Sequence, residues 1–175
     1  MDLDIFVPAV PDLFLNLSQR FGLLLAGGFA IMTLAPFERM RTGRERPLWS
    51  TLAVTILFGV FGILGTYTGN YVFHSYANLR AMGVITAGLF GGPVVGIGAG
   101  LIAGGHRYLI DVGGFSALPC ALATFLEGTA AGLIARRYPG KSLDWGVAMA
   151  LGIVGETVHM GLVLALSRPF AEAVD

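Results

Sequence analysis

The sequence predicts an all-α polytopic membrane protein of about six transmembrane helices, and three observations carry that reading. Of its 175 residues, 55% are hydrophobic and only 13% charged, against roughly 25% charged in soluble domains, and the mean hydropathy is +0.74. Uncharged runs of about 18 or more residues, the length that crosses a hydrocarbon core, recur from end to end and leave no room for a soluble domain larger than a loop. The third observation is an apolar segment that is too long to be one span. "NLRAMGVITAGLFGGPVVGIGAGLIAGGHRY", residues 78–108, would extend about 48 Å as a single helix from Ala77, well over a core of about 30 Å. Gly91, Gly92 and Pro93 interrupt it at the middle, with glycine to end one helix and proline to begin the next. A broken helical hairpin over 77–109 follows. Residues 1–175 are read as one transmembrane domain.

Taken in order, the first apolar run gives a helix at about 12–37 that stops at Pro36, because proline cannot continue the helical hydrogen-bond ladder. The opening "MDLDIFVPAVPD" holds acids and prolines where a signal peptide would hold a basic stretch, so the first run is expected to be a true span. "ERMRTGRERP" is a charged connector with four arginines. A second helix follows at 48–69, with Trp49 near one interface and Tyr67 near the other, where amphipathic rings settle. The hairpin supplies helices at 77–91 and 93–109, and two further helices lie at 116–135 and 143–166. "SRPFAEAVD" is a polar tail.

Lysine and arginine in short loops are held in the cytoplasm. With the hairpin broken at Gly92, the basic loops 38–47 and 136–142 fall on the same side, and both are assigned to the cytoplasm. The N-terminus and residue 175 are then extracytoplasmic. The setting expected is the bacterial inner membrane, with the lipid bilayer as partner.

Arg80 lies 12 residues before the turn and Arg107 lies 15 after it, so both rise about 18 to 23 Å from it. They reach the same outer side, roughly one helical turn apart in depth. Gly88, Gly92, Gly96, Gly100 and Gly104 recur every four residues, a small-residue stripe that lets backbones approach closely. Like charges drawn together in a low dielectric repel unless an anion lies between them, and a guanidinium grips a carboxylate by two parallel hydrogen bonds. A small anionic ligand is one reading. The other is that both arginines snorkel to lipid headgroups and mark interface depth.

The segment 78–108, with the later runs "GGFSALPCALATFLEGTAAGLI" and "GETVHMGLVLALSRPFAEAV" and the opening "QRFGLLL", resembles the transmembrane region of LytS-type sensor histidine kinases, the five-transmembrane LYT receptor family. The resemblance covers nearly the whole chain. It implies a receptor that binds a small carboxylate such as pyruvate from the extracytoplasmic side and controls a cytoplasmic GAF and histidine-kinase module, a response regulator and, through it, functions that include cell-wall lysis. A homodimer is expected. The family's binding arginines match Arg80 and Arg107, and its pocket cysteine matches Cys120. A serine of the family falls at Ala123, and Thr124, one turn below Cys120, stands in for it. The connector "HRYLIDVGGF" is about two residues longer than the family's and adds Asp111.

Around that core, Asn78, His106, Ser116, Glu127 and Arg20 are further candidate ligand contacts, and Arg20 either snorkels or lends a third positive charge. Cys120, Thr124 and Glu127 share one helical face and form a polar column descending from the arginines. Glu127 and Glu156 sit near mid-span, where a carboxylate must be neutralised, paired or faced by a polar cavity. Glu156 has His159 three residues on as a partner, either for proton transfer or as a satisfied buried histidine. One cysteine and three scattered histidines make no metal site, and no cofactor is expected. A formal net charge of zero gives a nucleic-acid partner no electrostatic support. No nucleophile with a neighbouring base, phosphate loop or kinase motif is apparent, so the chain is expected not to be an enzyme. The alternative function is a small-molecule transporter or vitamin-uptake-like substrate-binding subunit, because carriers also build sites from broken helices at mid-membrane.

Overall fold

A computed structural model of the chain describes residues 47–67, 70–72, 75–77, 79–138 and 144–167, together with residues 14, 15, 18, 19, 22 and 33. The first five of these isolated positions are helical. The rest of the helix expected at 12–37, the loop 38–46 and the residues Arg20 and Asn78 lie outside the described residues.

Among the described residues five helices are complete: α1 (Leu48–Tyr67), α2 (Arg80–Gly91), α3 (Pro93–Leu109), α4 (Ala117–Arg137) and α5 (Trp145–Leu166). Three of them, α1, α4 and α5, are long and apolar enough to cross a membrane. Between α1 and α2 lies a short antiparallel pair, β1 (Asn70–Val72) and β2 (Ser75–Ala77), in which Tyr71 faces Tyr76. This hairpin corrects one boundary. Ala77, expected to open a helix, is in a strand, and the helix starts at Arg80.

The break in the long segment is where glycine and proline require it. Gly92 takes φ +80°, open to glycine but strained for other residues. Its N–H closes α2 on the Gly88 carbonyl at 2.8 Å, and its own carbonyl accepts from Gly96 at 2.9 Å to start α3 behind Pro93. The proline occupies the first helical position, where its missing N–H leaves no bond unmade.

Contacts along α4 give the course of the other helices. In α2, Arg80 meets Thr124 and Gly88 meets Gly128 and Gly132, so α2 runs with α4. In α3 the order reverses: Gly96 meets Gly128, Gly104 meets Ala121 and Arg107 meets Ser116. The two arms of the hairpin are therefore antiparallel. α1 runs with α3, since Thr55 packs on Gly98, Gly59 on Ile102 and Gly62 on Ala103. α5 runs against α4, with Gly155 on Glu127 and His159 on Cys120. The ends at Tyr67, Arg80, Leu109, Ala117 and Leu166 thus gather at one face of the bundle. Leu48, Arg137 and Trp145 gather at the other.

The glycine stripe faces a different neighbour from the one its place in the hairpin suggests. A side chain added at Gly88 would stand 2.6 Å from the Gly128 carbonyl, at Gly104 2.7 Å from that of Ala121, and at Gly100 3.1 Å from Phe125 Cα. The stripe is seated on the α4 backbone. Only near the turn do the arms touch through glycine, where Gly88, Gly96 and Gly128 meet. Apolar packing fills what remains: Val54, Phe58, Val84, Ala87, Val95, Ala99 and Ala103 join α1 to the hairpin, and Ile85, Leu89 and Ala131 form a second cluster against α5. No residue of α5 is buried.

Seating on backbone leaves no room for relaxation, so Gly96→Leu is expected to cost the folded state at least the roughly 1–3 kcal/mol of an overpacked core. Gly105, with open space around it, is the control. Thermal unfolding in detergent should show a lowered midpoint for Gly96→Leu and little change for Gly105→Leu; equal midpoints would refute the backbone seating.

Candidate anion site at the open end of the hairpin

Arg80 is the first residue of α2 and is 1% exposed. A buried guanidinium is tolerated only where its N–H groups are satisfied. Its Nε donates to Thr124 Oγ1 at 2.6 Å and its Nη1 to Thr66 Oγ1 at 3.5 Å. Thr124 in turn donates to the Cys120 carbonyl at 2.8 Å. A hydroxyl has one donor, and here it is committed to the helix, so Thr124 serves to hold Arg80.

Arg107 sits in the last turn of α3. Its Nη2 donates to Ser116 Oγ at 2.9 Å and its Nη1 to Asp111 Oδ2 at 3.2 Å, an ion pair four residues apart. The connector after α3 therefore supplies the second arginine with a carboxylate from its own chain. Asp111 is held by a turn in which its carbonyl accepts from Gly114, with Gly113 at φ +83°.

The anchor points of the two arginines on α4, Thr124 and Ser116, are eight residues or about 12 Å apart. Cys120 is midway. With 100° per residue, Cys120, Thr124 and Glu127 fall within about 60° of arc and all three are buried, so the expected polar column lies on one face of α4, with Ser116 at the helix N-cap. Arg80 lies against the Cys120 thiol, within electrostatic reach of Arg107 and Glu127.

The lower part of the column is met by α5. Glu156 Oε2 and His159 Nδ1 pair at 3.2 Å, as their spacing suggested. The other ring nitrogen, Nε2, lies 3.2 Å from Cys120 Sγ. This second contact joins residues 39 positions apart on different helices, and no local pattern announces it. Glu127 and Glu156 carboxylate oxygens and a His159 nitrogen lie within 4.8 Å of one another.

Of the remaining candidates, Ala123 is buried beside the column and offers no hydrogen-bonding group. His106 turns from the arginines: its Nε2 pairs with the Tyr67 hydroxyl at 3.2 Å, edge to ring, and its Nδ1 is shielded from solvent without a partner among the described residues. Thr66 and Asp111 are contacts of the arginines that the sequence reading did not assign.

An apolar bundle broken by a glycine-proline turn, with two guanidiniums at one end and mid-span carboxylates, defines a polytopic membrane protein with a polar interior. The family model described as "5TMR of 5TMR-LYT" matches residues 34–175, and the chain belongs to that family. It is 34% identical to the sensor histidine kinase YpdA of Escherichia coli (strain K12) over 164 residues, 94% of this chain and 29% of that protein. The sensor histidine kinase BtsS of the same strain is 42% identical over 124 residues, 68% of this chain and 22% of that protein. The sensor protein LytS of Bacillus subtilis (strain 168) is 31% identical over 179 residues, covering 92% and 30%. The chain thus spans less than a third of the length of these relatives. No solved structure matches it.

If Thr124 holds Arg80, Thr124→Val should cost about 1.5–3 kcal/mol, the value of a hydrogen bond to a charged group, while Thr124→Ser should retain most of it. Chemical unfolding of the two variants in detergent checks this. A valine variant as stable as the parent would mean that other groups satisfy the guanidinium.

Proposed function

We propose that residues 1–175 act as a single membrane sensor domain that binds a small carboxylate, such as pyruvate, from the extracytoplasmic side and passes the event to a histidine-kinase module in the longer protein. The observation that carries the reading is geometric. A broken hairpin returns two arginines to the same end of α4, with Cys120 between their anchor points. Paired guanidiniums are suited to a carboxylate because its two oxygens accept parallel N–H bonds. The relatives' names are those of sensors, which favours reception over transport for the same broken hairpin. The chain itself would take no part in phosphoryl transfer.

The same topology supports the orientation. Arg136 and Arg137 close α4 at the end of the bundle where α1 begins, just after the arginines of loop 38–47. Lysine and arginine near span ends favour the cytoplasm, which leaves the arginine pair of the hairpin facing outward, in a bacterial inner membrane.

Calorimetric titration of pyruvate tests the site. Removing a charge-assisted hydrogen bond worth about 1.5–3 kcal/mol weakens binding by roughly 10-fold to 150-fold, so Arg107→Ala should show a loss in that range. Arg80→Lys should not restore full affinity, because an ammonium lacks the flat two-pronged donor set. Equal affinities in parent and both variants would mean that the arginines are interface anchors.

A further inference from the structure

Cys120, His159 and Glu156 stand in the order nucleophile, base and orienting carboxylate. The Sγ to Nε2 and Nδ1 to Oε2 separations are both 3.2 Å, the relation by which hydroxyl and thiol nucleophiles are activated in unrelated folds. An ionised Glu156 only accepts, so Nδ1–H donates to it, which leaves Nε2 unprotonated and able to receive the thiol proton. Cys120 is 7% exposed, its backbone is pinned by Thr124, and it is flanked by the anchors of two guanidiniums. The arginines suffice to grip a carboxylate, and the contacts from Cys120 to His159 and from His159 to Glu156 are not needed for it. It is what a sulfur needs to attack a carbonyl placed beside that carboxylate.

We propose that Cys120 bonds reversibly to its ligand, a 2-oxo acid, by adding to the ketone carbon while the arginines hold the carboxylate. This deepens the carboxylate-receptor reading and rests on it. The S–H proton passes to His159 Nε2 as the sulfur attacks. A carbon–sulfur bond forms, and the π pair of the C=O bond moves to oxygen. His159 then returns the proton to that oxygen, giving a thiohemiketal with the carboxylate intact. The net change is addition of S–H across C=O, so no oxidant, reductant or further reactant is consumed, and reversal releases the ketone unchanged. His159 is the proton carrier and Glu156 a positioning residue.

The consequence is selectivity for an electrophilic carbonyl. Propionate, which has the carboxylate and size of pyruvate but no ketone, keeps the arginine contacts and forgoes the bond. Pyruvate should bind the parent chain about tenfold or more tightly than propionate, and Cys120→Ala should bring that ratio toward one. The direct measurement is carbon NMR of pyruvate isotope-labelled at its ketone carbon, added to the purified chain in bilayer discs. The expected result is a saturable bound signal in the tetrahedral-carbon region that is lost in Cys120→Ala and weakened in His159→Gln. The measurement on the parent stands by itself if Cys120→Ala does not fold. Saturable binding with the label still a ketone, or a tetrahedral signal that Cys120→Ala retains as a hydrate, overturns the covalent bond and leaves the receptor reading intact. No saturable binding of pyruvate or propionate overturns both.

Discussion

The organisation of this chain depends on one constraint, the seating of the hairpin's glycines on the backbone of α4. At Gly88, Gly96 and Gly104 the neighbouring carbonyls of Gly128 and Ala121 stand where a side chain would be. In a bilayer the hydrophobic effect does not drive helices together, so close backbone contact and dispersion do that work. Seating also sets register. Once Gly96 lies on Gly128, α3 delivers Arg107 to Ser116, and α2, returning from the same turn, delivers Arg80 to Thr124. A one-residue slip would carry both arginines off the polar face of α4.

A second constraint comes from burying the guanidinium of Arg80. The neighbourhood resolves it with hydroxyls: Thr66 from α1 and Thr124 from α4. Neutral acceptors satisfy the donors without cancelling the charge. Arg107, near the bundle end, is handled differently, with a hydroxyl and a carboxylate. The two cations of the site are therefore held differently: Arg80 by hydroxyls from two other helices, Arg107 by a hydroxyl and by a carboxylate of its own connector.

Much of this was legible in the sequence where the signal is local. Gly-Gly-Pro at the centre of an overlong apolar run has few readings other than a turn, and α3 runs from Pro93 to Leu109 as the pattern implied. That Arg80 and Arg107 share an end follows from counting residues back from that turn. What was not legible is relational. The four-residue glycine period says that something packs closely but does not name the partner, which is α4. The Glu156–His159 pair is readable from i,i+3 spacing, whereas the reach of His159 to Cys120 depends on how α5 lies against α4. The start of α2 was placed at Ala77, inside a strand pair whose pairing is not announced by the helical pattern that follows it.

The ion pair between Arg107 and Asp111 carries a consequence for anything negatively charged that approaches it. The carboxylate is tethered four residues away on the same backbone, so in this structure Arg107 already holds an anion. An arriving anion competes against a resident one whose effective concentration, for so short a tether, is of millimolar order. Occupancy then follows an exchange, in which a ligand must exceed that internal level or offer a second point of attachment before Asp111 gives way. Under the proposed anion-binding role Arg107 would act as a threshold, set by the four-residue tether to Asp111.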